Sequence, residues 1–167
     1  MTWYLIAVSL HILAACVWIG GMVFLAVVLL PALRQPDYRG VALPLIRTTA
    51  IRFRWVGWAA LLTLVMTGCV NLAGRGYGWR QVRDGEVWQG WFGHMLGLKL
   101  LFVALVLLLS AWHDLAAGRQ MTRMTLDSVG PTELRRFRRR AAWVGRIVLT
   151  LSVAVVVLGV ILARGIP

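Results

Sequence analysis

From Ser9 to Val28 the chain reads SLHILAACVWIGGMVFLAVV, a run long enough to cross a bilayer as a helix. Its one ionisable group is His11. A titratable side chain inside an apolar span is costly to insert, so it marks a functional position and calls for a companion at the same depth.

The whole chain fits that reading. It has 167 residues, 60% of them hydrophobic and only 14% charged, with a mean hydropathy of +0.77. These values exclude an ordinary soluble domain. The net charge of +12 does not call for nucleic acid, because the basic residues fall in the links between apolar runs, as the positive-inside rule expects. The first run lacks a basic segment before it and has full spanning length, so it is expected to be a retained helix and not a cleaved leader. Cys16 and Cys69 both lie in apolar runs without finger spacing, so no disulfide framework or zinc site is indicated.

Four runs can each bridge about 30 Å of hydrocarbon: roughly residues 3–30, 55–73, 91–112 and 142–163. The expected fold is therefore all-α, an integral membrane four-helix up-and-down bundle forming a single domain over residues 1–167. Between the first two runs, Pro31, Pro36 and Pro44 are expected to break the helix, and Arg34, Arg39, Arg47, Arg52 and Arg54 face one acid, Asp37. The third connection carries Arg119, Arg123, Arg135, Arg136, Arg138, Arg139 and Arg140 against Asp114, Asp127 and Glu133. Both links should be cytoplasmic, which places both termini on the outer, periplasmic side of a bacterial inner membrane. Gly130-Pro131-Thr132-Glu133 reads as a helix start ahead of the fourth span. Tryptophans 3, 55, 58, 79, 88, 91, 112 and 143 sit near the run ends, as an aromatic belt would.

At 1.5 Å per residue, His11 lies roughly 12 Å below the outer boundary, with His94 roughly 5 Å and Lys99 roughly 12 Å down, whereas His113 reaches the inner surface. Met66 and Cys69 share the outer half. Tyr4, Ala7, Val8, Ala14, Ala15, Trp18 and Met22 surround His11 at helical spacing; the alanines are expected to leave a flat surface, and Gly20-Gly21 to allow a close helix approach. Two histidines on facing helices with a cation nearby is a standard way to hold haem b in a membrane. His11 and His94 would then be axial ligands and Lys99 an edge contact to a propionate. A copper site drawing on His11, Met66, Cys69, His94 and Met95 is the alternative. The plain structural readings stay open beside both: a hydrogen-bonded His11, a wetted His94, a snorkelling Lys99, an interfacial His113-Asp114 pair, and Arg146 and Arg164 as anchors. No serine or cysteine triad, P-loop or carboxylate pair is present.

The runs LHILAACVWIGGMVFLAVVLLPAL (10–33), RFRWVGWAALLTLVMTGCVN (52–71) and FGHMLGLKLLFVALVLLLSAWHD (92–114) resemble the CopD family of copper-resistance membrane proteins and the related HemJ-type protoporphyrinogen oxidases. The shared elements are the early histidine of helix 1, Arg52-Phe53 and Thr67-Gly68 in helix 2, and Lys99 within Gly97-Leu98-Lys99-Leu100-Leu101. The HemJ likeness implies a haem b protein in which His11 is a ligand and Lys99 is functionally important, with His113 matching a further histidine. Helix 4 reads AAWVGRIVLTLSVAVVVLGV (141–160) where those oxidases carry an Asn-Glu-x-Pro-Thr element, so the oxidase likeness rests on helices 1 to 3. The CopD likeness implies copper passage or handling. The expected function is a membrane haem protein that moves electrons or senses redox state. Its partners would be the lipid bilayer, a redox protein or quinone, and a second copy of the chain, with no nucleic acid.

Overall fold

The computed structural model describes residues 2–126 and 131–165, without the side chains of 39, 117–126, 131, 133–135, 137 and 138. Among these residues the regular structure is all helical, with short turns between helices and no strand. Four helices are long and apolar enough to cross a membrane: α1 (Thr2–Ala32), α2 (Arg39–Ala73), α4 (Gly90–Leu126) and α5 (Pro131–Arg164). A short α3 (Trp79–Arg83) lies between α2 and α4. Their apolar side chains face outward: Leu5, Leu13, Val27, Leu62, Leu108 and Val160 are all exposed. A surface of that kind is compatible with hydrocarbon and not with water.

The helices outrun the spans expected from hydropathy. Pro31 does not stop α1, and Pro44 lies inside α2. The reason is local. Residues Phe24–Leu29 form a π-helical segment, closed by the Leu30 N–H donating to Leu25 O, and this wider turn gives the Pro31 ring room beside the Val27 carbonyl. Pro44 falls early in α2, where it removes one hydrogen bond to Gly40 and leaves the rest of the ladder intact. The true break is only residues 33–38, around Pro36. At 35 residues, α2 is about 52 Å long, so its basic first third extends beyond a hydrocarbon core of about 30 Å.

The third connection is likewise mostly helix. α4 continues to Leu126, and Pro131 stands in the first turn of α5, ahead of its span. Arg119, Arg123, Arg135, Arg138, Asp127, Gly130 and Glu133, on which part of the reading of this link rests, lie outside the described residues or side chains.

The chain divides into two compact units, Met1–Gln89 and Gly90–Pro167. In the first, α1 and α2 pack antiparallel along a seam that repeats every 3.5 residues, the period of left-handed helix packing. On α1 the seam runs Tyr4, Ala7, His11, Ala14, Trp18, Gly21. Each large group enters a notch left by glycine. Tyr4 lies against Gly74, the His11 ring against Gly68, Trp18 against Gly57, and Phe53 of α2 against Gly21 of α1. Trp18 also stacks on Phe53, with ring centroids 6.0 Å apart and planes 13° from parallel. Ala7, Ala14, Ala60, Leu61 and Thr67 are buried. In the connection that follows, the Trp88 indole donates to Val82 O, Val87 is fully buried, and the Arg83–Asp84 pair is exposed and contributes little.

In the second unit α4 and α5 pack antiparallel. Lys99 of α4 reaches Gly159 of α5, and Trp112 meets Trp143 around a common recess.

Candidate functional site

The site begins at His11, which α1 places on the seam toward α2. His11 Nδ1 stands 2.8 Å from Thr67 Oγ1, and the same hydroxyl stands 2.6 Å from Thr63 O. A carbonyl can only accept, so the single hydroxyl proton goes to Thr63 O and the imidazole must donate from Nδ1. The tautomer is thereby set. The lone pair of neutral His11 lies on Nε2, which points away from Thr67. A histidine ligand is held in the same way when its second nitrogen donates to an outer acceptor.

Thr67 is 7% exposed, and its place in the chain explains the arrangement. Thr63 and Thr67 lie one turn apart on α2, and each hydroxyl donates back to the carbonyl four residues earlier, which keeps both satisfied without water. One further turn along, Asn71 Oδ1 is buried and has no hydrogen-bond partner among the described residues.

His94 is exposed and shows the same tautomer by a different route. Its Nδ1 donates to Gly90 O at 2.6 Å, one turn back on α4, and the lone pair again falls on Nε2. The Lys99 ammonium reaches α5, where a Cβ added to Gly159 would be 3.2 Å from Nζ. His113 Nδ1 sits 3.7 Å from Asp114 Oδ1. The Arg146 guanidinium lies over the Trp143 ring, 5.4 Å from its centroid.

One expectation needs correcting. The alanines around His11 do not form an open platform, because Ala7 and Ala14 are buried on the seam that packs against α2. They allow the two helices to approach closely. Of the glycine pair, Gly21 meets Phe53 and Gly20 meets nothing. Met66 and Cys69 are exposed, and it is Thr67 and Gly68, lying between them in sequence, that meet His11. Among the described residues no three His, Cys, Asp or Glu side chains gather as a metal site would require. Thr67 and Asn71 are polar residues that a search by depth for His and Lys companions passes over; their signal is the polar spacing 63, 67, 71 in the otherwise apolar stretch 55–73.

Fold and site together define a multi-pass helical membrane protein with a hydrogen-bonded histidine within its first span. More particularly, the chain belongs to the same family as an uncharacterized protein of Aquifex aeolicus (strain VF5), with which it is 30% identical over 158 residues, covering 93% of this chain and 92% of that protein. No family model matches the sequence, and no solved structure matches it.

Proposed function

We propose that the protein binds haem b in the outer half of a bacterial inner membrane and serves electron transfer or redox sensing, with His11 as an axial ligand through Nε2. The observation that carries this reading is the hydrogen bond from His11 Nδ1 to Thr67 Oγ1, which leaves Nε2 with the lone pair that iron needs. The second ligand is His94, whose Nδ1 donates to Gly90 O and which the depth reckoning places in the same half of the membrane. Lys99, whose ammonium reaches α5 at Gly159, is the residue for a haem propionate, a cation beside a carboxylate. Bound haem would supply a one-electron iron couple to a quinone or partner protein.

The orientation proposed places both termini in the periplasm, with the basic ends of α2 and α5 in the cytoplasm. An optical spectrum of the detergent-purified protein tests the haem assignment. A Soret band that is lost in His11→Ala is the expected result. A preparation that takes up no haem on reconstitution, or a spectrum indifferent to His11→Ala, overturns it.

A further inference from the structure

A second site lies where α4 and α5 leave their apolar spans, Gly90–Ala116 and Arg139–Arg164. There Trp112 of α4 joins Arg136, Arg139, Arg140, Trp143 and Val144 of α5 around an open recess of about 330 Å³. Residues 136, 140 and 143 recur at helical spacing, so their side chains share one face within two turns. All three arginines are exposed. Among the described residues none of them has an ion pair and no acidic side chain lines the recess. Three guanidinium groups in so short a space repel one another and call for an anion.

The surroundings identify the anion. Trp112 and Trp143 are each about half exposed, the position of interfacial tryptophans, whose rings lie at headgroup level. Guanidinium forks match the paired oxygens of a phosphodiester, and Val144 with the two indoles offers an apolar wall for the glycerol and the first acyl carbons. We infer that this recess binds the headgroup of an anionic phospholipid. The proposal is of a shaped site, as distinct from diffuse attraction to a basic surface, and it does not depend on whether haem is bound.

The test uses the full-length protein in detergent with equimolar phosphatidylglycerol and phosphatidylcholine, and counts retained lipid by native mass spectrometry. At about fivefold per arginine near the headgroup layer, the native protein should prefer phosphatidylglycerol by roughly tenfold or more. R136K/R139K/R140K keeps every charge and removes every fork, so a shaped site predicts that most of this preference disappears, whereas R34K/R47K leaves it intact. Trp112→Leu, which leaves the arginines in place, should also weaken retention and serves if the triple variant fails to fold. A preference unchanged in both the triple variant and Trp112→Leu overturns the proposal in favour of diffuse attraction. Full displacement of the lipid by inorganic phosphate overturns it in favour of a free-phosphate site.

Discussion

His11 gives its Nδ1 proton to Thr67 Oγ1 across 2.8 Å, and Thr67 passes its own proton to Thr63 O at 2.6 Å. Two helices thus fix the tautomer of one imidazole through a hydroxyl and a carbonyl. Thr67→Val preserves shape and removes the acceptor, leaving a buried N–H unsatisfied at a cost of about 1–3 kcal/mol. On the haem reading, affinity for haem should fall by roughly tenfold to a hundredfold, with Thr67→Ser restoring it. A reconstitution titration followed at the Soret band measures both variants. Equal affinity in Thr67→Val and the native protein would detach Thr67 from the site.

The glycine notches make a matched prediction. A Cβ on Gly57 would lie 2.7 Å from Trp18 Cζ3, a ring already held against Phe53, so Gly57→Ala should destabilise the α1/α2 pair by about 1–3 kcal/mol. Gly21→Ala meets Phe53 and should behave alike. Gly20→Ala meets nothing within 4 Å and should be neutral or stabilising by up to about 1 kcal/mol. Thermal unfolding of the three variants in one detergent decides the matter.

Lys99 and Gly159 supply a third test. Lys99→Met removes the charge at similar volume, and Gly159→Leu fills the notch that receives the ammonium. If the position of the cation supports the proposed propionate contact, both variants should load less haem while the His11-dependent spectrum keeps its form. A loss in Lys99→Met alone would show that charge matters and the notch does not.

Topology can be read by labelling intact cells with a membrane-impermeant maleimide after Cys16 and Cys69 are replaced by alanine. With both termini outside, Arg80→Cys in the exposed connection before α4 should react, and Gln35→Cys between α1 and α2 should be protected. The reverse pattern would invert the proposed orientation.

The four spans were legible because the length of an apolar run is itself the signal, and the start of α5 at Pro131 followed from proline in a first turn. The extent of the helices was not. Pro31 and Pro44 read as breakers, yet a π-helical turn accommodates one and an early helical position the other, and neither adjustment leaves a mark in composition. The companions of His11 are sought by depth, which singles out His94 and Lys99, and a hydrogen-bonded His11 stays open beside them. A neutral imidazole needs only an acceptor, and Thr67 supplies one. Gly21 and the pair Thr67-Gly68 could be singled out in sequence. That Gly21 meets Phe53, and that Ala7 and Ala14 close a seam, depends on which face of α1 turns toward α2, which a helix with apolar residues on every side does not disclose.

The alternation of large group and glycine along α1 and α2 also bears on motion. Sliding one helix past the other by a turn, about 5.4 Å, would bring Trp18 from Gly57 to the neighbourhood of Leu61, and would take Tyr4, His11 and Phe53 out of their notches in the same step. Intermediate positions have no partial fit, because packed interfaces of this kind are bistable and not continuously deformable. The pair therefore meshes like a toothed rack, so that any change of register would shift Tyr4, His11, Trp18 and Phe53 together and in whole steps.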